Sequence, residues 1–318
     1  MNDIKTRIIN LKPTLKPDSL NLYLRNLKII FQYINKTDEL PENINFLNNT
    51  KEVLDYLQTR TQSTQKTYFT SIIVATQAYK NKELYQVYNP PYEILTTKLK
   101  AIAQSQIKSQ NEEENWVSIK KLKSVLNKYK KELTTSGVFN LESKITPYNF
   151  KLLQKYVVGM LYIGSPDNPP VRNDYSNMKV ISKLHYNKLS PAQKIEMNYL
   201  VITGKNKKKF ILNKYKTDKV YGEKIIAVSA PVNKILNVWL HYNKNDFLLL
   251  NNRKEPLSDN GLTKLLQSVF APTGKNISVS MLRHIFITEK FPADLDKKKE
   301  LANLMLHSVG LQNEYAKM

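Results

Sequence analysis

Between Tyr199 and Ser229 the chain changes period, and that change constrains its fold class more than any other feature. Tyr199–Thr203 and Phe210–Tyr215 are short strand-like runs flanking a turn at Gly204-Lys205-Asn206, and Lys224–Val228 follows after a loop around Asp218–Gly222. Short runs bounded by turn residues form neighbouring antiparallel strands. Elsewhere apolar residues recur at helical spacing. Leu20, Leu24, Leu27, Ile30 and Phe31 follow a helix start at Pro17-Asp18-Ser19, where Asp or Ser can cap. Lys51–Thr59 fits a second helix, and a third runs from about Ser63 to Lys80 with Tyr68, Ile72, Ala75 and Tyr79 on one stripe. Val117–Lys131, Phe150–Tyr162 and the region from Pro231 onward also read as helix. The expected fold is mainly α with a small antiparallel β-sheet.

A chain of 318 residues has room for two domains, at roughly 150 residues each. Beyond Asn89-Pro90-Pro91 a polar stretch ends in Ser109-Gln110-Asn111-Glu112-Glu113-Glu114-Asn115. Three consecutive acids in so basic a chain mark a linker. The expected division is a helical domain at 1–108, a linker at 109–116 and a second domain at 117–318.

Lys and Arg number 49 against 27 Asp and Glu, a formal net charge of +22. A field of that sign draws polyanions, nucleic acid before membrane. An AT-rich genome would raise Lys, Asn and Tyr together, and the 19 tyrosines fit that, so charge alone is a weak pointer. No apolar run has the length of a membrane span and no signal-peptide core opens the chain, which predicts a soluble intracellular protein. Cysteine is absent, removing disulfides and thiolate metal sites. Gly204-Lys205 and Gly274-Lys275 lack the upstream glycine of a phosphate-binding P-loop. No His or acidic cluster resembles a metal site. Neither a cofactor nor a metal is expected, so any phosphodiester chemistry must neutralise developing charge with side chains.

The last 35 residues supply such side chains. Met281-Leu282-Arg283-His284-Ile285-Phe286 sets an Arg-His pair in an apolar helix, a placement that asks for a buried anion or carboxylate. Leu306-His307-Ser308 and Glu314-Tyr315-Ala316 follow. This order resembles the tyrosine recombinases (phage-type integrases), in which a Leu-Arg-His helix precedes a His-Ser turn and then a tyrosine. The Lys216 and His307 segments are similar to those of the enzymes of viruses and mobile elements. In that family a first arginine follows a helix and a short loop; Tyr162-Ile163-Gly164-Ser165 and Pro169-Pro170-Val171-Arg172 match, making it Arg172. The family's lysine lies on a β-hairpin between the two arginines, and Lys216, ahead of Thr217, is the match, with Lys214 and Lys219 as neighbours that could hold its role.

The resemblance implies catalytic roles for Arg172, Lys216, Arg283, His307 and Tyr315. Two guanidiniums can clamp one scissile phosphate. A lysine can protonate the leaving 5′ oxygen. Tyrosine as nucleophile stores the bond energy in a 3′-phosphotyrosine, so rejoining needs neither ATP nor metal. Ser280 stands three residues before Arg283, where the family commonly has histidine, and could bond phosphate in its place. The His307-to-Tyr315 interval is one residue shorter than the family's. Three residues follow Tyr315, so no tail is expected to reach a neighbouring protomer.

The first domain would bind duplex DNA through Ser63 and Lys66 at a helix N-terminus. The hairpin would bind through Lys205, Lys207 and Lys214. A homo-tetramer on DNA exchanging strands pairwise, in the cytoplasm or nucleus of a host cell, is the implied assembly. The alternatives are a type IB-like topoisomerase and a DNA-binding relative that has lost catalysis.

Overall fold

The structure, a computed structural model, describes residues 1–141, 144–290 and 295–317. The chain forms two compact units, Met1–Ser105 and Gln106–Met318.

The first unit is helical: α1 (Asn2–Leu11), α2 (Pro17–Asn35), α3 (Thr50–Gln58), α4 (Gln62–Ala78) and α5 (Lys82–Gln104). The stripe expected on α4 is wider than its periodicity suggested, because Ser71 to Thr76 are buried without interruption. Its buried hydroxyls keep partners: Asn26 Nδ2 donates to Ser71 Oγ at 3.0 Å, and Thr76 Oγ1 donates to the Ile73 carbonyl at 3.0 Å. α5 runs through both Pro90 and Pro91. Proline removes a helical N–H, but Leu84, Tyr88 and Leu95 anchor the helix on both sides, and Tyr88 Oη donates to the Leu47 carbonyl at 2.6 Å.

The second unit opens with α6 (Gln110–Asn115), α7 (Ile119–Thr135) and α8 (Pro147–Ile163). The acidic stretch is thus a short helix, closed by a capping box in which Ser109 and Glu112 satisfy each other's backbone N–H. α7 and α8 pack closely at Gly159, where a Cβ would lie 2.2 Å from Leu126 Cδ2. Leu126 is itself enclosed, at 3% exposure. Gly159→Ala is therefore expected to destabilise the unit by about 1–3 kcal/mol, read as a lower urea midpoint; an unchanged midpoint would show that Leu126 can move aside.

The sheet follows as β1 (Lys179–Ser182), α9 (Lys183–Lys188), α10 (Pro191–Ile195), β2 (Tyr199–Gly204), β3 (Lys207–Leu212), α11 (Asp218–Tyr221) and β4 (Lys224–Ala227). Its order is β1-β2-β3-β4. The antiparallel expectation holds for β2–β3–β4, but β1 pairs with β2 in parallel, so the sheet is mixed. β1 has only four residues, and its partner lies beyond two short helices, so no local hairpin pattern announces it. Leu200, Phe210 and Leu212 face the helical core, while Tyr199, Val201 and Ile211 pack with Tyr186.

β3 also ends earlier than its residues suggest. The buried Asn198 takes over from the ladder, its Oδ1 accepting the N–H of Asn213 at 3.0 Å and of Lys214 at 2.9 Å. Lys216 therefore lies in the loop after β3, away from the β2–β3 turn. The unit closes with α12 (Ala230–Tyr242), α13 (Asp259–Phe270), α14 (Val279–Lys290), α15 (Leu295–Leu304) and α16 (Val309–Tyr315). No helix among the described residues is long and apolar enough to cross a membrane.

Candidate active site

Arg283 is 1% exposed on α14, among core side chains. Its Nη1 donates to the Pro170 carbonyl at 2.7 Å and its Nη2 to the Met305 carbonyl at 3.2 Å. Nη2 also lies 2.7 Å from His307 Nδ1. A guanidinium only donates, so Nδ1 accepts and the ring proton of His307 sits on Nε2. Both His307 Nε2 and Arg283 Nε are buried without a hydrogen-bond partner among the described residues. No described carboxylate lies within ion-pair distance of either Arg283 or Arg172.

A tight turn brings the remaining groups in. Leu306 closes α15 with a left-handed φ of 58°, a conformation usual for glycine at a helix end. A leucine there costs about 1–2 kcal/mol, but its side chain is buried and the turn is fixed by His307 N–H donating to the Ala302 carbonyl at 3.0 Å. The turn aims the Leu306 carbonyl at two donors, Arg172 Nη1 at 3.3 Å and Thr217 Oγ1 at 3.1 Å. Ser308 then caps α16, which carries Tyr315. The half-buried Tyr315 ring stacks on His307 (centroids 5.4 Å apart, planes 22°) and lies 5.0 Å from the Arg283 guanidinium carbon.

Arg172, Arg283, His307 and Tyr315, far apart in sequence, thus share one cluster. Lys216 is exposed, and it is Thr217 beside it that reaches the cluster. Ser280 is exposed one helical turn before Arg283. Lys205 and Lys207 flank the β2–β3 turn and are exposed, as is Lys214. In the first unit Ser63 is exposed and Lys66 half-buried in the opening turns of α4, beside a shallow groove lined by Arg25, Asn26, Ser63, Thr64 and Thr67.

Three residues were given no role by sequence reasoning. Thr217 is one. Asp174 is another: it accepts the Arg172 N–H at 3.0 Å, and burial pushes its pKa up to about 6 against the pull of Arg172. The third is Lys208, which is 4% exposed and donates to the Lys205 carbonyl at 3.0 Å and to Asn233 Oδ1 at 2.9 Å, with Asn237 Oδ1 as a third acceptor. It staples the β2–β3 turn to α12, and burial lowers its pKa. The Lys-rich turn gave no sign that one of its lysines faces inward, beyond the alternation of strand residues. No group of three or more potential metal ligands gathers among the described residues.

Burial, followed by the charges of Arg283 and Arg172, pushes His307 down to about 3. The neutral ring therefore carries an Nε2–H that is left without an acceptor among the described residues. Because the folded value lies below the unfolded 6.5, His307 contributes stability that is complete above pH 6.5 and is lost as pH falls toward 3. Asp174 has the opposite sign, its contribution falling as pH rises from 3.8 to about 6, and it partly hides the first. Relative to wild type, His307→Gln should gain stability, on the order of 3 kcal/mol, as pH is lowered from neutrality to about pH 4. Chemical denaturation across that range checks it; a pH-independent difference would refute the buried neutral ring.

No protein-family model matches the chain, and no curated protein matches it. Among solved structures, the crystal structure of XerA recombinase is similar over 100% of this chain and 94% of that chain, at 14% identity and a TM-score of 0.39. A likeness that slight assigns neither a family nor a chemistry.

Proposed function

We propose that this chain cuts and rejoins duplex DNA as a tyrosine recombinase does, with Tyr315 as covalent nucleophile. The observation that carries the reading is Arg283, a fully buried cation with no described carboxylate within ion-pair distance, whose own Nε–H and the neighbouring His307 Nε2–H are unsatisfied beside a tyrosine ring. A buried cation held by carbonyls and a neutral ring, with no carboxylate in ion-pair distance, is left short of compensating charge. The chemistry of these donors matches a phosphate diester: it is an anion with oxygens to accept from Arg283 Nε and His307 Nε2, and a phosphorus for Tyr315 to attack.

In the proposed reaction Tyr315 gives up its phenolic proton to solvent as Oη attacks phosphorus, the P–O5′ bond breaks, and a 3′-phosphotyrosine forms. Arg172 and Arg283 stabilise the non-bridging oxygens as charge develops, with His307 as a neutral donor. The departing 5′ oxygen takes a proton from a lysine. Lys216 is favoured because Thr217 anchors its loop to the carbonyl that also holds Arg172. Lys205 and Lys207, on the only hairpin turn described between the two arginines, are the alternative donors. Rejoining reverses these steps, with the 5′ hydroxyl attacking the phosphotyrosine.

The test is capture of a covalent protein–DNA adduct on a pool of random-sequence duplexes, each carrying a nick that lets the cleaved fragment diffuse away. Adduct should form in excess EDTA without ATP. Cleavage abolished by EDTA and restored by Mg²⁺ would overturn the reading, since the proposed cluster gives a metal no part. Two labelled duplexes in one tube then separate recombinase from topoisomerase: a recombinase joins strands from different duplexes through four-way junctions, while a topoisomerase only relaxes supercoils.

A further inference from the structure

A second set of contacts grips the end of α16 at alternate residues. The Asn313 carbonyl accepts from Gln106 Nε2 at 2.9 Å. The Tyr315 carbonyl lies 3.0 Å from His284 Nδ1, and since a carbonyl only accepts, Nδ1 carries the proton. The Lys317 ammonium is 3.8 Å from Glu112 Oε1, and its backbone N–H donates to Thr288 Oγ1 at 2.9 Å. Glu112 Oε1 also lies 3.5 Å from His284 Nε2, which attracts it only when the ring carries a second proton, while its Oε2 accepts from the Ser109 N–H and O–H, each at 2.8 Å.

These contacts single out Glu112 from its neighbours. Glu113 and Glu114 are exposed, whereas the Glu112 side chain is 13% exposed and those of His284 and Lys317 are 16% and 7%. One carboxylate of the acidic run is thus turned inward, between the Lys317 ammonium and the histidine that holds the Tyr315 main chain. Gln106 and Glu112 both belong to the opening segment of this unit, which follows directly on α5.

We propose that His284 and Glu112 are positioning residues for Tyr315: His284 fixes the tyrosine's backbone through its carbonyl, and Glu112 holds the Lys317 ammonium two residues on, so that the opening segment of the unit sets the register of the nucleophile. This rests on the reading of Tyr315 as nucleophile. In-line attack is sensitive to such a setting, because a misplacement of about 1 Å can cost a hundredfold in rate. Neither side chain touches the phosphate site, so both act through Tyr315.

The experiment measures, on the same nicked random-sequence pool, the single-turnover rate of adduct formation, DNA affinity and thermal unfolding. His284→Ala should slow adduct formation at least about tenfold with affinity unchanged. His284→Asn, whose amide can replace the Nδ1–H donor, should recover most of the rate. Glu112→Gln keeps the capping box, in which Gln serves as well as Glu, and should slow adduct formation with little change in unfolding. Should His284→Ala fail to fold, His284→Asn and Glu112→Gln decide the matter between them. Variants reacting at the wild-type rate would overturn the inference while leaving Tyr315 as nucleophile. So would an Asn variant that folds yet is no faster than a folded Ala variant. A wild-type protein that forms no adduct would overturn the functional reading and this inference together.

Discussion

Tyr315→Phe is expected to form no covalent adduct while binding DNA as the unaltered protein does. The change removes one oxygen and leaves what places the ring: the stack on His307, the Arg283 guanidinium beside its face, and the bond from His284, which goes to the main chain. No cavity opens, and Arg172, Arg283 and His307 keep their main-chain anchors. One nearby phenol is already committed. Tyr162 is buried, its hydroxyl donates to the Arg172 carbonyl at 2.8 Å, and burial pushes its pKa far above the ordinary tyrosine value. Denaturing electrophoresis for the adduct, with a binding titration on the same DNA, reads both halves. An adduct surviving in the Phe variant would move the nucleophile elsewhere, with Tyr221 and then Tyr242 next to be tested.

The parts of the site that were legible in the sequence are those with a local physical signature. Arg283 stood out because a cation inside Met281-Leu282-Arg283-His284-Ile285-Phe286 must be buried with a reason, and it is. His307 and Tyr315 carry no such signature and are singled out only by the resemblance in motif order. What stayed hidden depends on contacts distant in sequence. Three adjacent glutamates look alike until the fold turns Glu112 alone onto His284, although the Ser109-to-Glu112 spacing already carried a capping-box signature. Asp174 could not be distinguished from a surface aspartate, because its burial comes from elements remote in sequence. The lysine position suffered from strand length. Asn213 to Tyr215 read as strand, which drew the hairpin toward Lys216, whereas the side chain of Asn198 ends the ladder and leaves the turn at Lys205 to Lys207.

Arg283→Ala should slow adduct formation about a hundredfold or more, since removing one preorganised donor to developing charge costs on the order of 3 kcal/mol. Its effect on folding is harder to read. The variant frees a desolvated cation but leaves the Pro170 and Met305 carbonyls and His307 Nδ1 short of a donor, so opposing terms meet at one residue. Arg172→Ala makes the comparison sharper. Arg172 is only half-buried, and the Leu306 carbonyl it bonds keeps Thr217 as a second donor, so the turn survives its loss. Arg172→Ala should therefore show a similar loss of rate with a much smaller change in unfolding. Arg283→Lys adds a third arm: an ammonium keeps the charge but cannot reach Pro170, Met305, His307 and a phosphate oxygen from one planar group, so it should recover little of the rate. Cleavage by Arg172→Ala within a few-fold of wild type would make that arginine a tether for the Leu306 turn. The same result for Arg283→Ala would leave a buried cation whose role is to hold the Pro170 loop against the end of α15, and the anion site would have to be sought elsewhere.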